Sequence, residues 1–396
     1  MMGQSKIVRQ AIVALVVLLL GGLIVQFALA NPTVGASGNL VDFDAFYIVG
    51  QLVTEGRAAE AYDPALMSAI QQQWLDHDGF MPWTYPPPFD LLTAALPLLP
   101  RGLSYALFIG LTLAVYLALL ARLAGSSMME LLITLLPTLF VAIASGQNSF
   151  LTGALMAGCA LLTLANRTGA GLPLGLLVIK PHLGIGLGLH ALFTRRWGAL
   201  GIALGVALAL SAAATLVMGP GIWPAFRGAI RAAGELLAVD FYPIFRMPSV
   251  YALLFSLGLP AGAALVGQGL AALLASAAVA FAVLRHWPPR WSLAVACFSS
   301  ALMSPYFYDY DMTIVGVGVA LIVGDLLARS TLGERRLLLV LGWTAGGWGL
   351  VCEMATNGLD WEARTALTQA LPSMGAVAYL LLLALIARIL SRPAAA

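Results

Sequence analysis

Apolar runs joined by short polar links fill almost the whole chain, and one stretch breaks that rhythm. Runs fall at 8–29, 101–123, 129–145, 147–165, 197–218, 249–284, 291–308, 311–328, 336–353 and 366–389. A helix needs about 20 apolar residues to cross a bilayer. The pattern therefore predicts an all-α polytopic transmembrane helical bundle with about ten to thirteen membrane segments. The run 249–284 is long enough to break near Gly258-Leu259-Pro260. The interruption is residues 31–90, a polar loop that holds eight of the eighteen acidic residues. A second polar loop spans 219–248, and the whole chain, 1–396, reads as one membrane domain.

Basic residues orient the runs. With the N-terminus inside, thirteen Lys and Arg fall on the inner side, six on the outer side, and Lys180 within the membrane. That asymmetry is the one expected of a membrane protein, and it places the 31–90 and 219–248 loops outside. It also requires residues 171–193 to enter and leave by the inner face, because Arg195 and Arg196 follow them. Two short half-helices meeting at Lys180-Pro181 satisfy this. Irregular backbone at membrane depth is tolerated where protein or a water-filled cavity covers it. The alternative is a simple span, which inverts the downstream signs.

Within the loops, two segments predict helices lying on the membrane surface. Asp63-Pro64 is a helix start, followed by Leu66, Ile70 and Trp74 on one face. After Gly219-Pro220-Gly221, Phe226, Ile230 and Leu237 make a second apolar stripe. Interfacial anchoring is the simpler reading of both.

Composition removes the soluble alternatives: 61% of residues are hydrophobic and 10% charged, against about 25% charged in soluble domains. Net charge of +2 singles out no partner, and a nucleic-acid partner is not expected. Cys159, Cys297 and Cys352 lack paired spacing and read as buried small residues. The apolar run after Lys6 and Arg9 is long enough to span, so it reads as a retained first helix rather than a cleaved signal.

Candidate chemistry sits mostly at the outer face. Asp42 and Asp44 open the long loop, and a carboxylate there suits a general base that deprotonates an attacking hydroxyl. A solvated acid or a helix cap is the plain alternative. Trp83-Thr84-Tyr85-Pro86-Pro87-Pro88-Phe89 reads as an extended segment pinned by its prolines, with Tyr85 either stacking on a sugar or anchoring at the interface. Gln147 and Asn148 fit phosphate oxygens or sugar hydroxyls, or cap the next helix. Lys180, beside His182, is an ionisable group amid apolar residues and so a functional candidate. Its partner is a lipid phosphate or, failing that, a carboxylate from another helix. Tyr308, Asp309 and Asp311 form an acidic, aromatic outer turn. No cluster of His, Cys and Asp has ligand spacing, so no cofactor is required, while a divalent ion near the acidic loops is left open.

Taken in order, Asp42-Phe43-x-x-Phe46-Tyr47, Gly56, Ala61-Tyr62-Asp63-Pro64, Trp83-x-Tyr85-Pro86-Pro87-Pro88, Gly146-Gln147-Asn148, Lys180-Pro181 and Ser304-Pro305…Tyr308-Asp309-Tyr310-Asp311 resemble glycosyltransferase family 87. These are polytopic, mannosyltransferase-like proteins of the GT-C superfamily. The resemblance covers about residues 40 to 311 and implies a polyprenyl-phosphate-sugar donor and a lipid or glycan acceptor. It further implies an inner (plasma) membrane location, transfer at the extracytoplasmic face, and inversion at the anomeric carbon. It assigns the base to Asp42 and leaves Asp44 at a variable position. Lys180, with Gln147, Asn148 and His182, would hold the donor phosphate. Asp44, Tyr85, Tyr308, Asp309 and Asp311 would shape the sugar and acceptor site. Mycobacterial mannosyltransferases of the family carry a histidine around the late outer turn, where this chain has Tyr308-Asp309-Tyr310-Asp311; the mannose assignment is weaker for it. A transporter or lipid flippase with Lys180 at its substrate site is the competing class. Against it, the acidic first loop has no later counterpart, as a repeated half would require.

Overall fold

The computed structural model describes residues 2–36, 40–75, 80–356, 359 and 361–393. The chain is all-helical, with no strand among those residues. In chain order the helices are α1 (Met2–Ala30), α2 (Asp42–Thr54), α3 (Pro64–Gln71), α4 (Pro87–Thr93), α5 (Arg101–Ala124) and α6 (Met128–Ser145). Next come α7 (Ser149–Leu164), α8 (Gly171–Leu176), α9 (Ile185–Phe193), α10 (Trp197–Met218), α11 (Ile222–Ala238) and α12 (Val250–Ser256). The last six are α13 (Ala261–Leu284), α14 (Pro289–Ser300), α15 (Thr313–Arg329), α16 (Leu332–Ala355), α17 (Trp361–Ala370) and α18 (Met374–Leu390).

Six stretches among the described residues are long and apolar enough to cross a membrane: Lys6–Ala30, Arg101–Ser145, Trp197–Met218, Ala261–Leu284, Asp309–Arg329 and Leu332–Ala355. The 45-residue stretch Arg101–Ser145 is α5 and α6, parted by a turn where Gly125 takes φ +56°. Shorter apolar helices Ser149–Leu164, Thr168–Ile179 and Met374–Leu390 pack among them. Helices α10 and α13 leave Leu204, Leu216, Leu273 and Leu274 exposed, which suits contact with lipid. Helix α15 is the opposite case, buried along nearly its whole length at the centre of the bundle. Tyr116 donates to the Thr313 carbonyl (2.7 Å) and the Thr313 hydroxyl to the Ser149 carbonyl (2.9 Å), fixing its N-terminal end.

Several boundaries differ from the hydropathy reading. The 249–284 run does break at Gly258-Leu259-Pro260 as anticipated, because Gly258 is left-handed (φ +89°) and Pro260 caps α13. The 291–308 run stops being helical after Ser300, and 366–389 is cut at Leu371-Pro372-Ser373 into α17 and α18. The triproline segment is extended only as far as Pro86 (ψ 149°). Pro87 and Pro88 then occupy the first turn of α4, where proline's missing N–H costs nothing. Helix α3 does start at Asp63, which accepts from Ala65 and Leu66 N–H. Its buried face, however, is Met67 and Gln71, one residue on from the expected stripe, and Leu66 is exposed. The three cysteines are buried and free.

The segment around Lys180 folds back on itself. Gly171 of α8 abuts Ala199 and Gly175 abuts Ala203, so α8 runs parallel to α10 with both starting at the same level. Chain continuity then makes α9 a return arm: Gly186 lies against Ala296 and His190 bonds Ser292 (3.1 Å), antiparallel to α14. Lys180 is the tip, at φ −151° and ψ 69°, as a residue before proline is driven out of the helical region.

The two ends of the bundle differ in chemistry. At one end Arg9 pairs with Glu130 (2.6 Å), Arg392 with Glu334 (2.8 Å), and Arg290 donates to the Leu123 and Leu321 carbonyls. Apart from Leu321, midway along α15, these groups lie at the starts of α1, α6, α14 and α16 and the ends of α5 and α18. At the other end, bounded by the first loop, the end of α6, the Lys180 tip and the residues before α15, lies a cavity of about 810 Å³.

Candidate active site

The geometry starts at the first turn of α2. Asp44, at its third position, accepts from the Val41 backbone N–H (2.9 Å) and from Arg101 Nε (2.7 Å); it is 2% exposed and Arg101 is 3% exposed. Residues two apart on a helix point about 200° apart. With Asp44 turned into the bundle, Asp42 is turned into the cavity, which it lines. Asp44 does not line it. The expected contact of Asp44 with sugar or acceptor is therefore not what the geometry shows: both its oxygens serve the fold, as a helix cap and a buried ion pair. This is the capping alternative, realised on one of the two acids.

The turn between α6 and α7 is brought against α2. Gly146 takes φ +68°, and a Cβ there would sit 2.5 Å from that of Phe43. This close approach carries Gln147 to the cavity wall, where its Oε1 accepts from the Tyr85 hydroxyl (2.8 Å). Its amide nitrogen remains to serve Asp42. Burial raises the Asp42 pKa above the usual carboxylate range, and Arg246, the Gln147 hydrogen bond and Lys180 pull it partly back. Asn148 is fully buried at the start of α7 and does not reach the cavity. Phe46 meets the rings of Phe89, Tyr85 and Trp83 at 5.1, 5.4 and 5.9 Å, which fixes Tyr85 in place.

Lys180 lines the cavity, and Asp311 holds its ammonium with both oxygens (2.7 and 2.9 Å). The carboxylate from another helix thus exists. Asp311 itself is completely buried and faces Lys180, not the cavity, so it shapes the site through that lysine. Asp309 lines the cavity and is gripped by Arg246 through Nε (3.1 Å) and Nη2 (3.0 Å). The Tyr310 ring lies between the two cations, 5.0 Å from Lys180 Nζ and 5.7 Å from Arg246 Cζ. Tyr308 stacks on it at 5.0 Å. Tyr308 and His182 also line the cavity. On α16, Gly349 leaves room for this arrangement: a Cβ there would lie 2.1 Å from Asp309 Oδ2.

Sequence reading missed Arg246 and, while it took in Tyr310 with the outer turn, gave that ring no role of its own. The signal for Arg246 was present, a lone arginine in the apolar, aromatic run Phe241 to Pro248. Helix α11 is also more than an anchor. Arg227 and Arg231 are exposed on one side, while Phe226 and Ile230 line the cavity and Phe226 meets Tyr62 edge-on at 5.8 Å.

Residues 83–305 match the family model of glycosyltransferase family 87, more than half of the chain. The matched region contains Tyr85, Gln147, Lys180, His182 and Arg246; Asp42 and the Tyr308–Asp311 turn lie outside it. No curated protein and no solved structure matches the chain. The family is one of enzymes, which sets the transporter reading aside. In this all-helical membrane bundle the two polar loops, the broken helix and the turn before α15 bring carboxylates and two cations to one cavity, and the chain belongs to glycosyltransferase family 87, the membrane glycosyltransferases.

Proposed function

We propose that this enzyme moves a hexose-type, mannose-like sugar from a polyprenyl-phosphate carrier to a hydroxyl of a lipid or glycan acceptor. Transfer takes place at the extracytoplasmic face of the inner membrane, with inversion. Asp42 is the general base. The observation that carries this role is a contrast among the acids of the two motifs: Asp309, in the cavity wall, and Asp311, behind Lys180, are each bound to a cation, while Asp42, in the cavity wall, meets the uncharged Gln147 side chain. An ionised carboxylate without a cation of its own is free to take a proton.

In this reading the acceptor oxygen attacks the anomeric carbon as Asp42 removes its proton. The bond from that carbon to the phosphate oxygen breaks, and the phosphate leaves with the electron pair. Lys180 keeps one N–H beyond the two given to Asp311, and with Arg246 it faces the charge that grows on the phosphate. His182 and Gln147 complete that side, and Tyr85, Tyr308 and Asp309 border the sugar. Leu75, Phe80, Phe226, Ile230 and Phe241 give the cavity an apolar side for the lipid chain.

Purified enzyme in nanodiscs, given radiolabelled polyprenyl-phosphate-mannose and a lipid extract of its host, should label a product. The anomeric configuration of that product, read by NMR, should be inverted. Labelling from a nucleotide sugar and none from the polyprenyl-phosphate donor would overturn the proposal.

A further inference from the structure

A second cavity, of about 1190 Å³, opens at the opposite end of the bundle among α1, α6, α15, α16 and α18. Its rim carries Lys6, Arg9 and Arg335 against a single acid, Glu130. Arg9 is held by Glu130 and by the Ser126 carbonyl (2.8 Å). Arg335 donates to Ser330 Oγ (3.2 Å) and the Leu327 carbonyl (2.5 Å). Lys6 is exposed and makes no ion pair with a described residue. Below the rim the walls are apolar, including Val13, Ile133, Val319, Leu338, Leu382 and Ile386. Where α1 borders this cleft, Lys6, Gln10 and Ala14 are exposed and Arg9 and Val13 half-buried, so the helix is thinly packed there.

We infer that the cleft holds one anionic phospholipid, its phosphate on Lys6, Arg9 and Arg335 and an acyl chain between α1, α6 and α18. The charge pattern selects this occupant. Three cations against one carboxylate leave a rim with two positive charges in excess, and the greasy depth beneath is of no use to a free anion. Basic pockets between membrane helices recognise anionic headgroups in this way. The bound lipid completes the packing of α1 that protein side chains leave thin. This site is independent of the donor and acceptor assignments, since none of its residues borders the active-site cavity.

Native mass spectrometry of the full chain, released from micelles containing palmitoyl-oleoyl phosphatidylglycerol and phosphatidylcholine in equal amounts, tests it. One phosphatidylglycerol should be retained in preference to phosphatidylcholine. Lys6→Gln should weaken retention about fivefold, and Lys6→Gln with Arg335→Gln about 25-fold, taking an equal share for each cation at the membrane surface. Leu338→Trp, which keeps the rim and fills the cleft, should expel the lipid by itself, so the test does not depend on the double variant folding. Dihexanoyl phosphatidylglycerol, which keeps the head and loses most of the chain, should be retained poorly. Equal retention of the two long-chain lipids would overturn the inference. So would retention unchanged in Leu338→Trp, or displacement of the lipid by millimolar inorganic phosphate.

Discussion

Two carboxylates two residues apart should fail in opposite ways. Asp42→Asn keeps the size of the side chain and its contact with Gln147, and it leaves Arg246 and Lys180, which act on Asp42 from nearby, bound to Asp309 and Asp311. Folding should survive while transfer falls by about 10²–10⁴, the usual cost of losing a general base. Asp44→Asn strikes the buried pair with Arg101, whose 2.7 Å contact is almost fully hidden from solvent. Leaving one partner of such a pair uncompensated costs about 3–5 kcal/mol, and weakening the cap on Val41 adds about 0.5–2 kcal/mol. The assay is transfer per folded molecule, set beside thermal unfolding of the detergent-solubilised enzyme. Asp42→Asn should melt with the wild type and barely turn over; Asp44→Asn should melt early or fail to accumulate. The pH profile gives a second reading. Burial raises the Asp42 pKa, and the base works only when ionised. Wild-type transfer should therefore fall as pH drops through a value above the ordinary carboxylate range near ~4, and the residual activity of Asp42→Asn should lack that limb. A stable, inactive Asp44→Asn beside an active Asp42→Asn would refute the assignment of the two acids.

Other expectations follow from the same contacts. Lys180→Met alone strands the buried Asp311, so the informative variant pairs it with Asp311→Leu: melting should recover, while affinity for polyprenyl phosphate, measured by displacement, drops about ten- to hundred-fold. Unchanged affinity in that double variant would confine Lys180 to a structural role. Asp90 accepts from Tyr62 (2.7 Å) and Trp83 (3.0 Å), yet burial pushes its carboxyl up to about 8. The folded state then keeps a proton that the unfolded chain loses near ~4. Stability should decline as pH rises through that window and level off above it, and denaturant titrations of Asp90→Asn should show no such slope. Gly349→Ala should displace Asp309 from Arg246 and destabilise by about 1–3 kcal/mol. Gly228→Ala on α11, where a Cβ meets nothing within 4 Å, should leave the melting temperature unchanged or raise it slightly.

What the sequence made legible is what local forces decide. Most of the apolar runs, the helix start at Asp63-Pro64 and the break at Lys180-Pro181 depend on neighbours in the chain and are where the pattern puts them; the runs 291–308 and 366–389 end or break short. What it hid are the partnerships closed over distance. Lys180 finds Asp311 131 residues away, Asp44 finds Arg101 57 residues away, and Arg246 finds Asp309 63 residues away. Nothing in the periodicity of Val41 to Tyr47 tells which acid faces the cavity; the register is set by the Arg101 pair and by Phe43 lodging against Gly146. The triproline was misread for a related reason. Proline forbids a helix interior but not a first turn, and only the fold shows where the helix begins.

The fold-back around Lys180 also constrains how the protein is made. Neither α8, with six residues, nor α9, with nine, can cross a bilayer. The tip between them carries the Lys180 ammonium, which hydrocarbon does not tolerate unpaired. The hairpin meets α7 before it, but its other supports α10 and α14, and the acid that neutralises its lysine, all lie later in the chain. The proposed active site therefore closes late, because Asp311 is made 131 residues after the lysine that it neutralises. A nascent chain truncated before residue 311 should hold this hairpin open to water-soluble alkylating reagents, whereas the complete chain should shield it.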